Sequence, residues 1–381
     1  MTLVFLSNRF TNHQKEISNE FVKLFESYFF IECEPEEIRS LPEGKKPSGD
    51  TPSYVFKLTE VENLGSLVVG ADVVIFGSCS QKLVKHRLKL GKLTFKYSER
   101  IFKTGIKKWQ IPLRVIKDYF RYNRFKNFYL LCASAYAYSD YALSKSFINK
   151  SYKWGYFPSA SRRTFEEILS IRNNNKVPNL LWIGRFIDWK HPELAIMLAE
   201  NLKNAGYYFV LSMAGFGPML TEIKKMVADK QLEDYIIMHG SITADKAIEM
   251  MEMSDIFVQT SDFNEGWGAV LNEAMSCGCC VVASHAIGAV PYLLKHNING
   301  LIFKNGSLKE LMDCVIQSMK DVKQRQLLGQ EAYLTMKKEW HPQIAATRFY
   351  NLVRSLLSND MAVNAESGPC SKAVILENNW M

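Results

Sequence analysis

The sequence predicts an α/β protein built from two doubly wound, parallel-sheet domains. Three observations carry that expectation. At 381 residues the chain exceeds what one ordinary core holds and suits two. Short apolar, β-rich runs alternate with longer amphipathic runs along its length, the pattern of parallel strands covered by helices. Glycine-bearing turns follow several strands of the second half, where open parallel sheets place their ligand sites.

Bulk properties narrow the class. With 47% hydrophobic and 23% charged residues, the composition excludes wholesale disorder. No apolar run reaches the roughly 18 residues needed to span a bilayer. The opening stretch, residues 1–10, lacks the basic start and long apolar core of a signal peptide and reads as a first strand, so a cytoplasmic location is expected. The eight cysteines fit reduced thiols in apolar contexts. Cys277, Cys279 and Cys280 crowd together, but two are adjacent and no His follows at zinc-finger spacing; they read as small core residues, and no metal site is expected.

In the first half, strands are expected at residues 3–7, 73–77, 93–97 and 129–134. Residues 34–60, with Pro35, Pro42, Pro47 and Pro52, read as loop, and residues 151–163 as a linker. The second half is cleaner. Strands are expected at 179–183, 208–213, 235–239, 256–259 and 280–284, and helices at 192–204, 218–228, 244–253 and 267–275. Further helices are expected at 308–321, 324–339 and 342–357, before a polar tail. His239 alternates with Ile237 and reads as a core histidine.

Charge is concentrated. Residues 82–126 hold fifteen Lys or Arg against two acids, Glu99 and Asp118, with eight aromatics interleaved. Such a stretch suits an anionic membrane surface, a plain solvated face or nucleic acid. No nucleic-acid motif accompanies it, so a membrane surface is the expected partner and nucleic acid is not.

The residues after the second-half strands carry the chemistry. Gly184 turns the chain after the first of them, and Arg185 and Lys190 place two cations there, a clamp suited to a diphosphate whose charge grows as a sugar–phosphate bond breaks. Gly215 and Gly217 permit close backbone approach after the second, with Pro218 suited to a first helical position. Ser241 and Ile242 follow Gly240 after the third, where a flat base could lie on backbone. After the fourth comes Glu265-Gly266-Trp267-Gly268, and further on Glu273. Two glycines opening a helix beside a carboxylate make an anion site. A carboxylate on either side, Glu265 and Glu273, suits a ligand with a sugar at one end and a ribose at the other.

This constellation resembles the retaining GT-B glycosyltransferases of family 4, over roughly residues 179–300. The resemblance rests on Glu265-Gly266-Trp267-Gly268 with Glu273, on Gly184-Arg185 with Lys190, on Gly215-x-Gly217-Pro218, and on Asn299-Gly300. It implies two Rossmann-like domains facing across a cleft. Residues 1–160 would form the acceptor side and 161–341 the donor domain; a helix over 342–358 would return to the first domain, and 359–381 would form a loose tail. It implies that Glu265 holds hydroxyls of the donor sugar and Glu273 the nucleotide ribose. Arg185 and Lys190 would neutralise the diphosphate, and the backbone at Gly266, Trp267 and Gly268 would line the pocket. No metal or other cofactor is implied beyond a nucleoside-diphosphate sugar. The acceptor would be a glycan, lipid-linked by the argument from the basic segment. On the acceptor side His13, and the pair Glu99 and Arg100, are the candidates. Two departures from the family pattern stand out: Cys280 where Pro is frequent, and Tyr292 where a Glu is expected. A nucleotide-sugar epimerase or phosphorylase, or a non-catalytic subunit binding a glycan or membrane, are the competing readings.

Overall fold

The computed structural model describes residues 1–34, 51–103, 105–358 and 365–381. The chain divides into two units, Met1–Pro158 with Glu339–Trp380, and Ser159–Lys338 with Met381.

The first unit is built on seven parallel strands: β1 (Thr2–Ser7), β2 (Ser27–Glu32), β3 (Val55–Lys57), β4 (Val73–Phe76), β5 (Thr94–Ser98), β6 (Phe128–Cys132) and β7 (Ser151–Lys153). Their order is β3-β2-β1-β4-β5-β6-β7. The chain therefore winds outward one way from β1 and the other way from β4, and the order reverses between those two strands. β4 is buried at all four positions, as expected of a parallel strand covered on both faces. Arg87 is fully buried, has no carboxylate ion-pair partner among the described residues, and donates to the carbonyls of Val68, Ala71, Asp72 and Leu93, satisfying peptide groups just ahead of β4 and β5. The helix Pro342–Ser358 places Phe349 against Phe21, Phe95 and Trp154, so it is part of this unit's core.

The second unit has six parallel strands: β8 (Asn179–Ile183), β9 (Val210–Ala214), β10 (Ile236–Gly240), β11 (Ile256–Gln259), β12 (Cys280–Ser284) and β13 (Leu301–Phe303), ordered β10-β9-β8-β11-β12-β13. Here the order reverses between β8 and β11. Helices start on polar caps: Thr164 accepts from Glu167 N, Thr243 from Lys246 N, and Ser307 from Glu310 N. Arg172, also buried, donates to the carbonyls of Met251, Glu252, Cys277 and Gly278, tying two helix ends to a third helix. All eight cysteines are free, and six of them are buried.

The structure corrects several expectations. Strands β2, β3, β7 and β13 were not anticipated, and β7 lies inside the segment read as a linker. Pro35, Pro42 and Pro47 lie outside the described residues. The segment after Gly217 turns before its helix begins at Leu220, so Pro218 is not a first helical residue. The helix expected from Trp267 starts at Ala269. His239 is exposed, because β10 is an edge strand, and its ring meets Ser212 Oγ at 3.0 Å. The described part of the tail, residues 365–381, is held rather than loose. Lys153 N donates to Ser371 O, while Cys370 N and Ala373 N donate to Lys153 O and Ser151 O, so the tail runs antiparallel along β7. Trp380 Nε1 then reaches Tyr136 Oη at 2.8 Å. An edge strand presents unpaired peptide groups, and the tail covers them.

Candidate functional site

In the second unit the strand order reverses between β8 and β11, and the carboxyl ends of strands at such a reversal are where these sheets bind ligands. The sequence candidates lie on the segments at that edge of the sheet, and two of them meet. Lys190, in the short turn Asp188–Lys190 after β8, forms an ion pair with Glu265, in the loop after β11. Both side chains are largely buried, 13% and 14% exposed. Two strand ends that are neighbours only because the order reverses thus contribute one member each.

Backbone and core fix this pair. Trp182 Nε1, buried under β8, donates to Thr260 Oγ1 at 2.9 Å, and Thr260 Oγ1 donates to Lys190 O at 2.6 Å. Asp262 N donates to Trp189 O, and Glu265 N to Asp262 O. His191 holds a left-handed φ of 48° and sits between Glu193 (2.7 Å) and Asp262 (3.4 Å), whose carboxylates raise its pKa. From the segment after β12, Gly288 N and Ala289 N donate to Glu265 O and Trp267 O. Trp267 is buried, with its Nε1 on Asn272 Oδ1 at 2.8 Å and Tyr292 beside its ring.

The glycines are steric requirements. Gly215 has φ 142°, and a Cβ there would lie 1.8 Å from Gly184 O; one on Gly217, φ 153°, would lie 2.4 Å from Phe186 O. Gly184 N donates to Ala214 O, Phe186 N to Phe216 O, and Gly215 N to Gly240 O, so the loops after β8, β9 and β10 are laced together. Gly268, φ 91°, begins the helix Ala269–Ser276, and a Cβ on it would meet Ile287 and the Gln259 amide. Gly215→Ala is expected to lower stability by about 3 kcal/mol or more, the sum of backbone strain and overlap. Gly206→Ala, also at positive φ but with nothing within 4 Å of the new Cβ, is expected to cost about 1 kcal/mol. Urea unfolding of the two variants checks this, and equal losses would contradict it.

Arg185 places its guanidinium 5.4 Å from the Trp189 ring centroid and has no carboxylate partner among the described residues. Glu273 lies in the second turn of the helix that Gly268 opens. Its carboxylate makes no hydrogen bond or ion pair among the described residues, and burial pushes its pKa up to about 7. Ser241 is exposed and Ile242 half-buried, just past β10. Among the described residues no hydrogen bond or ion pair ties these two, Arg185 or Glu273 directly to the Lys190–Glu265 pair; what they share is the carboxyl edge of one sheet. Cys280 is buried with its thiol on Ser318 Oγ. Among the described residues, no group of three or more His, Cys, Asp or Glu gathers to hold a metal ion.

The first unit has a cavity at its own strand reversal. At the reversal between β1 and β4 a cavity of about 680 Å³ opens, walled by residues following β1, β4 and β5. The three acceptor-side candidates all line it. His13 stacks on Tyr156, ring centroids 5.4 Å apart and planes within 4°. Glu99 accepts from Tyr156 Oη at 2.6 Å and faces Lys103 at 3.5 Å. Arg100 is committed to the wall: it is buried, pairs with Asp140 at 3.2 Å and lies over the Tyr136 ring.

The sequence reading missed Thr260, Asp262 and His191, which position the second-unit pair, and Lys96 and Tyr156, which line the first-unit cavity. Lys96 left a trace: a lysine between Phe95 and Tyr97 in a strand that reads as buried is out of pattern.

Two parallel, doubly wound units, the second with glycine-laced loops at its strand reversal, define the class: the fold is that of GT-B glycosyltransferases. Residues 164–335 match the family described as Glycosyl transferases group 1. That match lies within the second unit and is a likeness of that unit to the family. An uncharacterized glycosyltransferase of Methanocaldococcus jannaschii is 26% identical over 201 residues, covering 51% of each chain. A GDP-mannose-dependent alpha-(1-6)-phosphatidylinositol monomannoside mannosyltransferase of Mycobacterium tuberculosis is 21% identical over 183 residues, 46% of this chain and 47% of that one. The chain spans about half the length of the curated relatives it matches. Among solved structures, Anabaena HepE in complex with UDP superposes with a TM-score of 0.67 at 16% identity, covering 94% of this chain and 100% of that one. WaaG, a glycosyltransferase involved in lipopolysaccharide biosynthesis, gives 0.61 at 11% identity, over 93% and 99%. At these identities the likeness is one of fold.

Proposed function

We propose that the protein is a retaining glycosyltransferase that moves a hexose-type sugar from a nucleoside-diphosphate sugar to a lipid-linked glycan acceptor in surface polysaccharide or glycolipid assembly. The observation that carries this reading is the Lys190–Glu265 pair at the strand reversal of the second unit. In this mechanism Arg185 and Lys190 hold the diphosphate, with the helix opened by Gly268 adding its dipole. Glu265 accepts hydrogen bonds from sugar hydroxyls and Glu273 from the ribose. The acceptor hydroxyl attacks the anomeric carbon on the face the diphosphate is leaving. The carbon–oxygen bond to the phosphate breaks with its electron pair going to the diphosphate, and the hydroxyl proton passes to a departing phosphate oxygen. The two cations act most strongly as that charge develops, which is the condition for lowering a barrier. No metal or other cofactor enters the scheme.

A thermal-shift panel of UDP, GDP and ADP sugars tests the donor clause, since a ligand bound only to the folded state raises apparent stability by mass action. One base should stand out, with slow release of the free nucleoside diphosphate. No shift with any of them would remove the donor clause, and inorganic phosphate cleaving an oligosaccharide would favour a phosphorylase.

The lipid clause rests on a second observation. Trp109, Leu113, Ile116 and Phe120 recur at helical spacing through the turn Lys108–Gln110, the helix Ile111–Asp118 and the turn that follows, and each is 58–65% exposed. Around them Lys107, Lys108, Lys117, Arg121 and Arg124 are exposed, while Asp118 is buried and paired with Arg114 at 2.7 Å. Residues 105–126 therefore present apolar side chains and positive charge with no exposed carboxylate, as an anionic bilayer surface requires. Among the described residues, no helix is long and apolar enough to cross a membrane. The protein is expected to co-sediment with vesicles rich in phosphatidylglycerol but not with phosphatidylcholine alone, and less so as salt rises. Replacing Trp109, Leu113 and Phe120 together by serine should reduce binding about tenfold or more. Unchanged sedimentation would remove the membrane clause and leave the enzyme clause standing.

A further inference from the structure

We propose that the first-unit cavity binds a phosphate ester, so that the acceptor carries a phosphate. This deepens the acceptor clause above and rests on it for the identity of the bound molecule. The observation is Lys96. It sits in the middle of β5, its Nζ 4.9 Å from the centroid of Phe76 on the neighbouring strand, and it lines the cavity. Among the described residues it has no carboxylate partner and no hydrogen bond.

Half-buried in the cavity wall against the Phe76 ring, the ammonium gives up part of its hydration, which costs unless something compensates it. Among the described residues, the other charged groups around it do not. Arg9, also lining the cavity, is bound by Glu34 at 2.5 Å. Arg100 is held by Asp140, and Glu99 is occupied by Tyr156 and Lys103. Arg121 adds a like charge, and among the described residues it is the Cys79 thiol whose ionisation would favour the ammonium. Burial lowers the Lys96 pKa to about 8, so the group remains mostly charged at neutral pH. The helix Asn12–Leu24 begins at the same cavity, with Thr11 and His13 in its wall and no acidic residue in its first turn. Its dipole therefore also favours an anion. With Arg9 matched by Glu34, Arg100 by Asp140 and Glu99 by Lys103, Lys96 is the charge left over in the lining among the described residues, while Asn8, Ser78 and His13 supply neutral polar groups. A phosphate monoester or diester meets that chemistry; a neutral sugar alone leaves Lys96 uncompensated.

The test uses the full chain with UDP present in excess to occupy the second unit. Octyl phosphate, glycerol phosphate and neutral octyl glucoside are titrated by calorimetry into wild type, Lys96→Met and Lys96→Arg. The proposal predicts binding of a phosphate ester that weakens about tenfold or more in Lys96→Met and is kept within about threefold in Lys96→Arg. Binding of octyl phosphate alone identifies a lipid-borne phosphate; binding of both esters identifies the phosphate group as sufficient. Equal affinity of wild type and Lys96→Met for the esters, or octyl glucoside binding as well as octyl phosphate does, would overturn it. An equal UDP-induced thermal shift in wild type and Lys96→Met shows that the variant folds. If UDP produces no shift even in wild type, the donor reading fails, and the titrations run without UDP still decide the phosphate site.

Discussion

Replacing Lys190 by alanine is expected to lower kcat by about 10²–10³-fold, a loss of roughly 3–4 kcal/mol of transition-state stabilisation. The size follows from where the ammonium sits. It is largely buried, its backbone is anchored through Thr260 to Trp182, and its charge is matched by Glu265. A cation held that rigidly reorganises little as the leaving diphosphate gains charge. The same pairing sets a trap for interpretation, because removing one partner leaves the other buried and uncompensated, which itself destabilises the fold. The Lys190→Met, Glu265→Gln double variant separates the effects. It should recover most of the lost melting temperature while remaining as inactive as the single variants. If activity returned along with stability, the pair would be an ordinary structural ion pair.

Glu273→Gln is expected to stabilise the free protein and weaken donor binding at the same time. Burial without a partner raises the Glu273 pKa from its ordinary 4.5 to about 7. The sign then follows. Below pH 4.5 the carboxyl is protonated in both folded and unfolded chains, and its contribution to stability is fully present. As pH rises from there to about 7 the unfolded chain releases its proton first, and stability is lost, by up to about 3 kcal/mol. Glutamine removes that loss. The variant should melt several degrees above wild type at pH 8 and at the same temperature near pH 4.5. Its affinity for the nucleotide sugar should fall about tenfold or more, since a charge-assisted hydrogen bond to the ribose becomes a neutral one. Wild-type affinity should rise with pH up to about 7 and then level off. Unchanged nucleotide affinity in Glu273→Gln would detach this residue from the ribose. A stability gain that persists at pH 4.5 would place its origin elsewhere.

Why the two halves differed in legibility is visible in particular residues. β8, β11 and β12 fall where the sequence places them because each is a short apolar run bounded by turn residues, and such strands are buried on both faces. β2 escaped because its aromatic run, Ser27–Glu32, follows the first helix closely with no glycine or proline between them. β7 is three residues long and lies beside Gly155 and Pro158, which dominate the reading of that stretch. The ordering of residues 365–381 rests on peptide hydrogen bonds to the edge of β7, and no side-chain pattern announces those. His239 misled because alternation marks two faces of a strand but not whether a neighbour covers them; β10 is at the edge. In the site, Lys190, Glu265 and the glycines were legible because their spacing from strand ends is local. Thr260, His191 and Lys96 became visible only when the order of strands brought separate segments together.

The most direct measurement is a calorimetric comparison of nucleoside diphosphate and monophosphate binding, in wild type and in an Arg185→Ala, Lys190→Met double variant. A crevice that grips the second phosphate should favour the diphosphate about tenfold or more in wild type, and the double variant should abolish that preference while still binding the monophosphate. Equal affinity for the two nucleotides in wild type, or an undiminished preference in the double variant, would contradict the account.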